Sequence, residues 1–105
     1  MKHKCGDKLR AIMKRPDSNW YVTNISNTLN NLQRTVGGYI ETITLAEDCV
    51  IIVNEEGRLQ GLPYCCTVAG LDLVGTVIVL GVDREDFDDC TISLADWKVI
   101  VGGGK

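Results

Sequence analysis

Asn54, Glu55 and Glu56, followed by Gly57 and Arg58, crowd three oxygen-bearing side chains and a cation into one short stretch. Such oxygens bind calcium when they alternate along a loop of about a dozen residues. Paired carboxylates hydrolyse glycosides when they face each other across a cleft. Here the acids are adjacent and the stretch is short, so it reads as a solvated turn with Gly57 at positive φ. A second acidic group, Asp86, Asp88 and Asp89 in "DREDFDD", could imitate nucleic acid, but so short a run reads as a solvated loop. Tyr39, Tyr64, Trp20 and Trp97 have rings that could stack on a base, with Arg34, Arg58 or Arg84 for phosphate.

The thiols offer less. Cys5, Cys49, Cys65, Cys66 and Cys90 are odd in number and contain no C-x-x-C, which argues for reduced cysteines rather than a disulfide framework or a closed zinc site. The single histidine, His3, lies near Cys5 and far in sequence from the other thiols. Neighbouring strand residues face opposite sides, so at most one of Cys65 and Cys66 should be buried. No phosphate-binding loop, dinucleotide fingerprint, zinc-protease helix or nucleophile elbow occurs. With no base to pair with a nucleophile, the expectation is no catalytic residue, no metal and no cofactor.

The chain that must position these groups has 105 residues, 45% hydrophobic and 24% charged, with a net charge of -3. That fits one domain over 1–105 with a modest core, leaving 1–7 and 102–105 as tails. The longest apolar runs, "CVIIV" and "VIVLGV", fall far below the ~20 residues of a bilayer span, and the start lacks the apolar stretch of a signal peptide. A cytoplasmic protein without membrane contact is expected. Lys8, Arg10 and Lys14 alternate with Leu9, Ala11 and Met13, as on the guarded face of an edge strand; this reading outranks nucleic acid, which calls for a basic domain surface.

"KLRAIMK", the turn "RPDSN" and "WYVTNI" predict a hairpin. "SNTLNNLQRTVGG" predicts an amphipathic helix over 26–36, capped by Ser26 or Asn27, with Leu29, Leu32 and Val36 on its buried face and Gly37 or Gly38 at its end. "YIETITL" and "CVIIVN" predict antiparallel strands, the second needing cover on both faces. "GLPYCCTVAGLDL" reads as an irregular crossing, "VGTVIVLGV" as a buried strand bounded by Gly75 and Gly81, and "SLADWKVIV" as a helix capped by Ser93 or a last strand. The fold class is α+β: a small antiparallel sheet with one amphipathic helix on one face, and a short C-terminal helix as an alternative ending.

The ordered blocks Asn27-Thr28-Leu29, Leu32-Gln33, Val36-Gly37-Gly38-Tyr39-Ile40-Glu41, Asn54-Glu55-Glu56-Gly57-Arg58-Leu59, Gly61-Leu62-Pro63 and Gly75-Thr76-Val77-Ile78-Val79 carry a resemblance. Together they resemble the domain family of unknown function numbered thirty-eight forty-six, found in small proteins of phages, plasmids and conjugative elements. The resemblance implies a mobile-element setting and brings no catalytic residues. The expected function is stoichiometric binding of a host protein, as a counter-defence inhibitor. Tyr39, Asn54, Glu55, Glu56, Arg58, Tyr64, Asp86, Asp88 and Asp89 are its candidate binding residues. The alternatives are a homodimer that sequesters a small nucleotide-like ligand and a nucleic-acid-binding regulator using the basic N-terminal hairpin.

Overall fold

The structure, a computed structural model, describes residues 7–102. Lys8–Lys14 (β1) and Tyr21–Ser26 (β2) form the first hairpin. The helix that follows, Leu29–Val36 (α1), begins later than the spacing predicts. Ser26 is still in β2, and the Asn27 N–H donates to the Asp7 carbonyl. Thr28 is therefore the cap, its Oγ1 accepting from Asn31 N at 3.0 Å. The later start places Leu29 in solvent, 59% exposed, while Leu32 and Val36 are buried. Gly37 ends the helix at φ 83, a left-handed conformation suited to glycine.

Ile40–Ala46 (β3), Cys49–Asn54 (β4), Tyr64–Val68 (β5), Leu71–Val74 (β6), Val77–Asp83 (β7), Asp86–Asp88 (β8) and Leu94–Ile100 (α2) complete the chain. The main sheet is antiparallel, in the order β2-β1-β7-β4-β3, with β8 paired to β7. With six strands it is larger than the small sheet expected. β1 pairs with Val77–Val79 and β8 with Gly81–Asp83, so the two lie end to end along one side of β7. Gly81 lies inside β7 rather than bounding it. A Cβ there would collide with the Asp89 carbonyl, so only glycine admits the chain at this junction.

Every residue of β4 is buried, because the sheet is covered on both sides. Val50 and Ile52 face α1 together with Leu9, Ala11, Met13, Ile78 and Leu80. Cys49, Ile51 and Val53 face the β5–β6 hairpin and α2, among Ile12, Val77, Val79, Leu73 and Trp97. The result is three layers, with the sheet in the middle.

Three expectations fail for local reasons. β1 is interior rather than an edge: Ala11 and Ile12 are fully buried, and the Arg10 and Lys14 head groups, half-buried, reach backbone carbonyls. Arg10 Nη1 donates to the carbonyls of Cys90 and Ile92, and Lys14 Nζ to that of Cys65 at 2.9 Å. The irregular crossing contains a hairpin, β5–β6, turned by Ala69 and Gly70 at φ 52 and 79. Both turn residues are left-handed, as a type I′ two-residue turn requires. Finally, Cys65 and Cys66 are both buried, because a bulge in β5 interrupts the alternation.

The C-terminal segment is a helix: Ser93 Oγ accepts from Asp96 N at 3.0 Å, and Trp97 is fully buried. Among the described residues, no helix is long and apolar enough to cross a membrane. His3, Cys5 and most of both expected tails lie outside the described residues.

Candidate functional site

Asn54 closes β4 and organises the turn after it. Its side chain is 4% exposed and fully engaged. Oδ1 accepts from Glu56 N at 2.8 Å, while Nδ2 donates to Val36 O at 3.1 Å and Gln60 Oε1 at 3.0 Å. These bonds tie the end of α1 to the turn and leave Glu55 and Glu56 exposed. Gly57 does not take the positive φ expected of it; Gly61 does, at 71. Gly57 is needed for space instead, since a Cβ would come within 2.8 Å of Val74 Cγ2.

The turn forms one wall of a cleft of about 750 Å³. Its other walls are β3, an end strand of the main sheet, and β6, which pairs only with β5. Ile43, Val53, Leu73 and Val74 supply apolar surface. Leu59 and Leu71 stand 86% and 47% exposed at the cleft. Four carboxylates, Glu41, Glu55, Glu56 and Asp72, line it against one guanidinium, Arg58. Arg58 Nη2 donates to Asp72 O at 2.6 Å. The Asp72 carboxylate is fixed in turn, accepting from Thr67 Oγ1 at 2.7 Å, and Thr67 bonds the Tyr64 hydroxyl at 2.6 Å.

This geometry separates the candidate residues. Glu55, Glu56 and Arg58 share the cleft, and Asn54 holds its wall in place. Tyr39 is 70% exposed outside it, joined to the turn through its carbonyl, which accepts from Glu55 N at 2.8 Å. Tyr64 borders two other hollows. Asp86, Asp88 and Asp89 belong to the β8 junction, across β7 from β4. There Asp89 Oδ1 accepts from Arg10 N at 2.7 Å and Asp88 Oδ1 from Asp89 N at 2.8 Å. Trp20 and Trp97 pack edge to face, centroids 5.3 Å apart; Trp97 is fully buried, while Trp20, 8% exposed, lines a separate cleft.

Sequence reasoning missed Glu41, Leu59, Leu71 and Asp72. Glu41 could have been found from alternation in "IETITLA", which puts it on one face with Ile43. Asp72 could not, because its stretch read as irregular. Among the described residues, no group of three or more His, Cys, Asp or Glu side chains is arranged to hold a metal ion. The cleft offers an acidic and apolar surface beside strand edges of β3 and β6 that no other strand among the described residues pairs.

A family model described as a domain of unknown function (DUF3846) matches residues 9–100. Searches of curated proteins and of solved structures found no match.

Proposed function

The chain belongs to this family of unknown function, DUF3846, and from that premise we propose that it is a binding protein of a phage or other mobile element. It takes an extended, basic segment of a host protein into the cleft between β3 and β6. One observation carries the reading: an open strand edge stands beside four carboxylates and two exposed leucines. A strand edge offers unpaired N–H and C=O groups to an added strand, and neighbouring pockets select its alternate side chains. The carboxylates favour lysine and arginine; the leucines and the apolar floor favour aliphatic side chains between them. Action is by occupancy, one copy per partner, and in a counter-defence role it blocks the host protein it holds.

The alternatives have weaker support. Nucleic-acid binding through the N-terminal hairpin loses Arg10 and Lys14, whose head groups serve backbone carbonyls. Nucleotide sequestration loses Trp97, which is fully buried in the core.

The test uses a fluorescent peptide of alternating lysine and leucine, with a glutamate-leucine peptide as control, read by anisotropy. The lysine peptide should bind, more weakly as salt rises. The double variant Glu41→Lys, Glu56→Lys should reduce its affinity roughly tenfold or more, the scale set by two lost charge contacts. Equal binding of both peptides, or no effect of the double variant, overturns the reading. So does inhibition of a host protein that continues at substoichiometric amounts of this chain.

A further inference from the structure

Cys65 and Cys66 border the same cleft, of about 720 Å³, on the hairpin-covered side of the sheet. The bulge is what brings them there. Tyr64 pairs with Val74 and Cys66 with Leu73, leaving Cys65 as the extra residue of β5. Trp20, Tyr64 and Ile100 also line this cleft, giving it an aromatic and aliphatic character. Lys14 reaches it from β1, its Nζ 3.9 Å from Cys65 Sγ.

The two thiols differ in proton affinity. Hydrogen bonding from Cys66, with a further contribution from the Lys14 ammonium, pulls Cys65 below the ordinary thiol value. The same bond to Cys65, together with burial, pushes Cys66 up. The pair thus combines a thiolate-prone sulfur with a neighbour that holds its proton.

The other described thiols are a contrast. Cys49 and Cys90 border a void of about 20 Å³, too small for any ligand larger than water. Burial pushes the Cys49 thiol up to about 11.

We propose that Cys65 and Cys66 form a dithiol capture site for trivalent organoarsenicals, with the organic group seated in the cleft against Trp20, Tyr64 and Ile100. Soft thiolates select soft centres, and a site with two protein sulfurs suits an element that already carries one carbon substituent. An arsonous acid, R–As(OH)₂, has two hydroxyls to lose. The Cys65 sulfur displaces one and the Cys66 sulfur the other. The two thiol protons leave with them as two waters, two As–S bonds replace two As–O bonds, and arsenic remains trivalent. The second bond closes intramolecularly at high effective concentration, so a single external thiol competes poorly. This site is separate from the peptide cleft and does not depend on it.

The experiment uses the full chain carrying Cys5→Ser, with phenylarsine oxide as the probe. Because Cys65 and Cys66 are adjacent, an unfolded chain offers the same two sulfurs, and thermal melting separates the two cases. A site formed by the fold raises Tm on binding, whereas preferential capture by the unfolded chain lowers it. Native mass spectrometry should show one arsenical per chain, retained in excess glutathione and released by dithiothreitol, with Tm raised. Cys65→Ser and Cys66→Ala, each checked for a cooperative melt, should lose retention in glutathione. Lys14→Met should slow capture severalfold and leave the stoichiometry unchanged. A lowered or unchanged Tm, the absence of an adduct, or retention in glutathione by either single-cysteine variant would overturn the proposal.

Discussion

The two faces of the sheet solve the same packing problem with different materials. Under α1 the buried residues are aliphatic throughout, apart from the thioether of Met13: leucine, isoleucine, valine and alanine contributed by β1, β2, β4, β7 and the helix. The opposite face holds four cysteines and both tryptophans, and the Arg10 and Lys14 head groups bond to carbonyls of its segments. Both of the larger clefts described above open there. The cover explains the difference. On one side α1 lays a leucine and a valine into the sheet. On the other a two-stranded hairpin and a seven-residue helix, α2, cover the centre and leave their margins open. One face supplies uniform packing, and the margins of the other supply places to bind.

The strongest way to break the α1 face is Leu32→Asp. Leu32 is 1% exposed and no partner for a charge lies in its aliphatic surroundings. Burying an unpaired carboxylate there should cost more than about 4 kcal/mol and abolish cooperative melting. A variant that melts like the parent would show that α1 is dispensable, and the two faces would not divide the work as described.

Asn54→Ala tests the link between the faces. The side chain joins the Val36 carbonyl, at the end of α1, to Glu56 and Gln60 at the cleft. Removing it strands a buried carbonyl and frees the turn, at a cost of about 3 kcal/mol, read by denaturant unfolding. Binding of the lysine-leucine peptide should weaken together with stability. Weakened stability with unchanged peptide binding would separate Asn54 from the cleft.

How much of this was legible follows from which interactions are local. The unbroken apolar run "CVIIV" announces a strand covered on both faces, and Gly37 announces a helix end. Glu55, Glu56 and Arg58 form a contiguous turn, so their shared exposure could be read directly. Glu41 and Asp72 reach the same cleft only through the pairing of β3 and the docking of β6, which no local pattern encodes. Alternating cations in β1 look identical whether their heads meet water or backbone carbonyls distant in sequence. The Ala69-Gly70 turn lacks the Asn-Gly or Asp-Gly signature, and the β5 bulge leaves no mark in the sequence. Asp88 and Asp89 read as a solvated run because β8, at three residues, is too short to announce itself.

The smallest expected effect is a pH dependence from the hairpin face, whose core holds four buried thiols. Burial first, and then the nearby Cys90 and Asp48, raise the Cys49 thiol from 9.0 to about 11. Between these values the unfolded chain has lost this proton and the folded chain keeps it. The folded state then binds more protons, so stability must fall as pH rises. The contribution is intact below pH 9 and is lost progressively toward pH 11, with a full span of about 2.7 kcal/mol. The comparison that isolates this thiol is between the parent and Cys49→Ala. Alanine lowers stability at every pH by removing a buried sulfur, and it should also flatten the decline above pH 9 in urea unfolding. Parallel curves for the two proteins would mean that Cys49 ionises as readily folded as unfolded, and that the hairpin face is no drier around this thiol than water.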